Sequence, residues 1–169
     1  MVPDDSSPRI KLLVIGYGNT LRSDDPVGPR VAEAVERLKL YGVRTLTCDL
    51  LTPELADPIS KAENVIFVDA CLAPDQKIQL RPLLPADSSQ ILAHAADPRA
   101  LLALARDAFG RAPKGLWLTI PVENLEIGET LSQKARCGIA EAIKEIKRIA
   151  SKERSSTSEE PPSPGPRSA

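Results

Sequence analysis

Aromatic residues are scarce in this chain: two Phe, two Tyr and one Trp occur among 169 residues. Its core must therefore be built from aliphatic side chains, and Leu, Ala, Val and Ile are plentiful. An excess of one charge is also missing. Lys and Arg number 22 against 23 Asp and Glu, a formal net charge of −1, so there is no electrostatic footprint for nucleic acid or an anionic membrane. No apolar run approaches the roughly 20 residues of a membrane span. The first nine residues, Met1 to Arg9, are acidic and carry Pro and Ser, without the apolar centre of a secretion signal; a cytoplasmic protein is expected. Cysteine is limited to Cys48, Cys71 and Cys137, odd in number and widely spaced, with no CxxC to suggest a zinc knuckle or a redox pair. Reduced, partly buried thiols are the plain reading. Histidine occurs once, as His94.

The length suits one domain with a substantial core. Residues 1–9 read as a disordered lead-in and 10–150 as the folded domain. Residues 151–169 (SKERSSTSEEPPSPGPRSA) have too little apolar surface to offset the entropy of ordering, so a disordered Pro/Ser-rich tail is expected. Strand and helix patterns alternate within the domain. Lys11 to Ile15 and Val65 to Val68 are near-continuous apolar runs of the kind covered on both faces, and Val43 to Leu50 is a further strand. Lys77 to Leu83 alternates like an edge strand, and Gly115 to Val122 supplies the last. Helices are expected over Pro26 to Leu40, Thr52 to Ala62 (with Thr52 as cap), Asp97 to Phe109 and Ser132 to Ile149. The alternation argues for a three-layer α/β/α fold with a mostly parallel sheet, in which ligands sit at the carboxyl ends of strands.

The segment Ile15-Gly16-Tyr17-Gly18-Asn19-Thr20-Leu21-Arg22-Ser23-Asp24-Asp25 leaves such an end. Gly16 and Gly18 suit a tight turn. The spacing departs from GxGxxG, and the two carboxylates that follow repel phosphate, so a dinucleotide site is poorly supported. Asp25 stands before Pro26, where it suits a helix cap; Asp24 beside it makes a pair that needs a cation, a proton or a helix dipole. Asp69 closes an apolar strand, where a carboxylate must be hydrogen-bonded, paired or functional. His94 lies three residues before Asp97-Pro98, in a loop entering a helix. Two carboxylates and an imidazole form a mixed O/N ligand set suited to zinc, nickel or iron, although the spacing alone does not establish a site and HExxH is absent. There is no GxSxG, and a Cys71–His94 nucleophile pair is a minor reading.

The segment from Lys11 to Asp25 resembles the opening of the hydrogenase maturation endopeptidases, which cut a C-terminal extension from the large subunit of nickel-iron hydrogenases. The resemblance continues through Leu51-Thr52-Pro53-Glu54-Leu55, Val65-Ile66-Phe67-Val68-Asp69-Ala70, His94, Asp97 to Ala105 and Ile120 to Gly128, reaching the final helix. It implies a phosphorylase/hydrolase-like mixed five-stranded sheet of order 2-1-3-5-4 with the fourth strand antiparallel. It also implies that Asp25, Asp69 and His94 are the catalytic and metal-binding residues. Pro26 stands where the family usually has Gly, the surroundings of His94 are plain alanines, and Cys48-Asp49 replaces a usual His-Gln.

By this resemblance the chain is a cytoplasmic endopeptidase acting on an immature nickel-iron hydrogenase large subunit. Nickel would arrive with the substrate, and zinc or cadmium would substitute in vitro. A monomer without nucleic-acid or membrane partners is expected, with Asp24 or a free carboxylate as general base. The alternatives are a self-contained metallohydrolase with another substrate and a non-catalytic partner-binding module.

Overall fold

The computed structural model describes residues 10–73, 75–87 and 97–155. The chain enters at β1 (Ile10–Tyr17). Leu12, Leu13, Val14 and Ile15 are all fully buried there, which requires cover on both faces. Helix α1 (Val27–Arg37) buries Val27, Val31 and Val35, spaced by four residues along one face. It ends earlier than its sequence pattern because Leu38 caps it and Lys39 adopts a left-handed φ of 48°. Strand β2 (Val43–Cys48) follows. The expected helix from Thr52 is a single 3-10 turn, Pro53–Leu55, running into α2 (Ala56–Ser60); the Thr52 side chain makes no capping hydrogen bond.

Strand β3 (Ala62–Leu72) is longer than its apolar run. It continues past Asp69 because Asp69, Ala70, Cys71 and Leu72 pair with Thr119, Ile120, Pro121 and Val122 of β5 (Lys114–Val122). Asp69 therefore sits inside the strand, not at its end. Between them come β4 (Gln79–Leu83) and α3 (Pro98–Phe109). The start of α3 is capped by Asp97, whose Oδ1 accepts the Arg99 N–H at 2.8 Å, and Gly110 closes the helix at φ 74°. Helix α4 (Gln133–Ser155) carries the chain five residues beyond the boundary drawn at Ala150.

The sheet order is β2-β1-β3-β5-β4. β1 is parallel to β2 and β3, β3 is parallel to β5, and β4 runs antiparallel to β5. This is the order and polarity that the resemblance implies. One apolar core joins Leu12, Val14, Ile66, Val68, Leu118 and Ile120 to α1 and α4. The other joins Leu13, Ile15, Val65 and Phe67 to α2 and α3. Burying each such side chain contributes about 1.5–3 kcal/mol, so the two cores make the sheet the rigid part of the molecule. Among the described residues, no helix is long and apolar enough to cross a membrane.

Candidate functional site

The winding reverses between β1 and β3: β1 leads over α1 to β2 on one side, and the chain then returns to β3 on the other. That reversal opens a crevice over the carboxyl ends of these two strands. Gly16 and Gly28 set its floor. A Cβ on Gly16 would lie 2.0 Å from the Gly28 carbonyl oxygen, and one on Gly28 would lie 2.4 Å from the Val68 oxygen. Gly16 is thus a strand residue that lets α1 begin flush on the sheet, not a turn residue as its spacing suggests. Gly18 makes the turn, at φ 149°, and the Asp25 carbonyl fills the space where its side chain would be.

Asp25 does not cap α1. The cap position is Pro26, with no side-chain hydrogen bond. The Asp25 carboxylate instead turns back into its own loop, where Oδ2 accepts the Asn19 N–H at 2.7 Å. It is half-buried, and among the described residues it has no Lys or Arg partner.

Asp24 has a different task from the general base suggested by sequence. It is fully buried. Its Oδ1 accepts the Ser132 N–H at 2.7 Å, and its Oδ2 accepts the Ser132 hydroxyl at 2.8 Å and the Glu123 and Asn124 N–H groups at 3.1 Å. Burial works to raise the Asp24 pKa, but the hydrogen bonds from Ser132, Glu123 and Asn124 outweigh it and hold the group below the usual carboxylate range. With both oxygens satisfied and no access to solvent, Asp24 is a clasp. It fastens the loop between β5 and α4 to the loop after β1. Ser23 N–H to the Gly128 carbonyl (2.9 Å), Asp24 N–H to the Asn124 carbonyl (3.0 Å) and Gly128 N–H to the Leu21 carbonyl (3.0 Å) complete the seam.

Asp69 projects on the same face as Phe67 and is only partly exposed. Gly16 pairs with Val68, so Tyr17 comes level with Asp69, and the Tyr17 hydroxyl donates to Asp69 Oδ2 at 2.9 Å. Burial, and to a lesser extent the charge of Asp25, push the Asp69 carboxyl up to about 6 against the opposing hydrogen bonds from Tyr17 and the Ala70 N–H. Burial first, then the Asp69 charge and hydrogen bond, and more weakly the charge of Asp97, drive the Tyr17 phenol far above its ordinary range, so it remains a donor. The Trp117 N–H acts on the Tyr17 oxygen in the opposite sense. It makes no bond of proper geometry, however, and is the buried side-chain nitrogen left without a partner among the described residues.

The structure therefore brings Asp25 and Asp69 within electrostatic reach on one rim, while His94 lies outside the described residues. Among the described residues no group of three His, Cys, Asp or Glu side chains could hold a metal ion. The two carboxylates nevertheless fit a cation. Both are partly shielded from water, the charge of Asp25 raises the pKa of Asp69, and neither has a cationic side chain to relieve it among the described residues. Cys48, Cys71 and Cys137 are free thiols, and burial raises the pKa of Cys48, with Asp49 adding to the effect. Tyr17, Ser132 and Trp117 were not singled out in the sequence. Only the strand register and the approach of the β5–α4 loop reveal them.

The fold is that of solved hydrogenase maturation proteases. The structure is similar to the hydrogenase maturating endopeptidase HybD from E. coli, with a TM-score of 0.67 and 21% identity over 84% of this chain and 93% of that one. It is equally similar to the [NiFe] hydrogenase maturation protease HycI from Thermococcus kodakarensis, with a TM-score of 0.67 and 21% identity over 86% of this chain and 95% of that one. An uncharacterized protein from Wolinella succinogenes aligns with a TM-score of 0.61 and 25% identity over 84% of this chain and 97% of that one. No family model and no curated protein matches the chain.

Proposed function

We propose that this chain is an endopeptidase that removes the C-terminal extension of a nickel-iron hydrogenase large-subunit precursor once nickel has been inserted. The observation that carries the reading is the pairing of Asp25 and Asp69 in a maturation-protease fold. The carboxylates lie within electrostatic reach of each other, with no Lys or Arg partner among the described residues, at the switch point where such sheets bind ligands. Sequence resemblance adds His94 as the third ligand. Nickel belongs to the substrate in this reading, with zinc or cadmium able to take its place in vitro; an ion held there anchors the precursor and polarises a carbonyl. The protein's own residues do the rest. The Asn19 N–H holds Asp25 Oδ2 and the Tyr17 hydroxyl holds Asp69 Oδ2, which orients both carboxylates for the ligand.

The role of proton acceptor passes from Asp24 to a rim carboxylate. Asp69, raised to about 6, has an affinity for protons suited to that work near neutrality. Exposed Leu21, Leu50 and Ile127 follow the carboxyl ends of β1, β2 and β5, and exposed Leu72 ends β3, giving the rim the apolar contacts a polypeptide substrate needs. We further propose that the protein acts as a cytoplasmic monomer.

The test combines purified protein with nickel-loaded precursor and follows release of the C-terminal peptide by mass spectrometry. A single cut is expected. Full cleavage by the Asp25→Asn, Asp69→Asn, His94→Ala triple variant would remove the basis of the assignment, as would an intact cognate precursor after long incubation.

A further inference from the structure

We infer that the clasped edge of the rim, where Leu21 meets Ile127, is a docking surface for a stretch of the substrate that is both apolar and basic. The inference rests on the endopeptidase reading and adds to it the chemistry of the chain that is bound. Arg22 forms a β-bridge to Ile127 and Gly128, and the Gly128 N–H donates to the Leu21 carbonyl at 3.0 Å. The backbones of Leu21 and Ile127 are thereby held side by side, and both side chains stand out into solvent, Leu21 65% and Ile127 88% exposed. Ile127 is the most exposed large apolar side chain among the described residues. Its loop has places to hide one: Leu125 and Leu131, on either side, pack against the core under α1 and α4. The seam is also tight. A Cβ on Gly128 would lie 2.7 Å from Ser23 Oγ, and Asp24 ties Glu123, Asn124 and Ser132 down around it. A surface fixed in advance loses little freedom when it binds.

Charge names the occupant. Glu123, Glu126 and Glu129 are exposed on the same loop, and among the described residues none of them has a Lys or Arg partner. The one base of the seam, Arg22, turns its Nη1 to the Leu125 carbonyl at 3.4 Å. Three carboxylates beside an apolar pair repel an acidic chain and favour one whose Lys or Arg residues flank an apolar side chain. A second copy of the protein fits badly, because a twofold contact through this face would set the glutamates against each other. Asp25 follows Leu21 in the same short loop, so a stretch seated here leads its neighbours over the acidic crevice.

The full-length protein is titrated, by fluorescence anisotropy, with labelled short peptides of alternating Leu and Lys and of alternating Leu and Glu. Two variants accompany it: Leu21→Ser with Ile127→Ser, and Glu123→Gln with Glu126→Gln and Glu129→Gln. Thermal melting checks that both are folded. The Lys peptide is expected to bind and the Glu peptide to stay free. Each variant should weaken binding of the Lys peptide by about tenfold or more. Added salt should weaken it for the wild type and hardly change it for the Gln variant. With nickel-loaded precursor the same variants should raise KM and leave kcat unchanged. Equal binding of the two peptides, unchanged binding by either variant, or a wild-type dimer that the Ser variant abolishes overturns the inference. If the wild type cleaves precursor in that case, the functional reading stands without this surface. If the Lys peptide docks as expected but cognate precursor stays intact, the surface stands and the endopeptidase reading falls.

Discussion

Ser132 gives both its backbone N–H and its hydroxyl to Asp24, a residue 108 positions earlier in the chain. The same hydroxyl accepts the Ala135 N–H at 3.1 Å, so Ser132 caps α4 while it closes the clasp. One serine thereby ties the loop that carries Asp25 to the last helix.

Replacing Asp24 should therefore be costly. Asp24→Ala leaves the donors of Glu123, Asn124 and Ser132 without their acceptor in a site closed to water. The expected loss is about 3–5 kcal/mol in urea unfolding. Asp24→Asn keeps the shape but turns an N–H group toward those donors and is expected to cost about 2–3 kcal/mol. If Asp24 were the general base instead, the Asn variant would keep wild-type stability and lose only turnover.

Ser132→Ala removes one hydroxyl that serves two bonds. A loss of about 1–2 kcal/mol is expected, together with fraying at the start of α4 visible in amide hydrogen exchange of residues 133–136. Ser132→Thr keeps the hydroxyl and should recover most of it.

Gly28→Ala tests the floor of the crevice. The new methyl would meet backbone oxygens of Val68 and Tyr17 at 2.4 and 2.6 Å, which no rotamer change relieves. Displacement of α1 from the sheet, and a loss of about 3 kcal/mol or more, are expected. Gly110→Ala has open space around its Cβ and strains only a left-handed φ of 74°, so it should cost about 1 kcal/mol. Equal losses for the two would show that the helix does not need this close approach.

The pH dependence of the metal-free protein separates the two acids. Asp69 has a folded-state pKa raised to about 6. Its stability contribution is fully present below the unfolded value of roughly 3.9 and is lost as the pH rises through about 6. Asp69→Asn should abolish that part of the profile, worth up to about 3 kcal/mol. Asp24 has a depressed pKa, so its contribution is present above roughly 3.9 and is lost as the pH falls through the lower folded value. Urea midpoints measured from acid to neutral pH in both Asn variants check the two signs.

The layers were legible because the apolar runs of β1 and β3 need cover on both faces and the spacing in α1 supplies it; the sheet order was legible only through the family resemblance. The start of α3 was legible from Asp97-Pro98, but the same dipeptide at Asp25-Pro26 makes no cap, so the pair marks a helix start without fixing the task of its carboxylate. The ends of β3 were not. Asp69 and Cys71 break the apolar run, and only pairing with β5 keeps them in the strand. Nor were the tasks of the acid pair. Adjacent aspartates look alike in sequence, and they diverge because the β5–α4 loop brings four donors to Asp24 and none to Asp25. Tyr17 was hidden for a similar reason: its partner is 52 residues away and is fixed only by register.

The clasp also dictates an order of assembly. The donors for Asp24 lie at Glu123, Asn124 and Ser132, and β5 must be in the sheet before they can arrive. While the chain emerges from the ribosome, its first quarter can form a strand and a helix, but the acidic loop between them has nothing to hold it. The loop that carries Asp25 takes shape only when the final quarter of the protein has been made, so a nascent or truncated chain has no finished acidic rim.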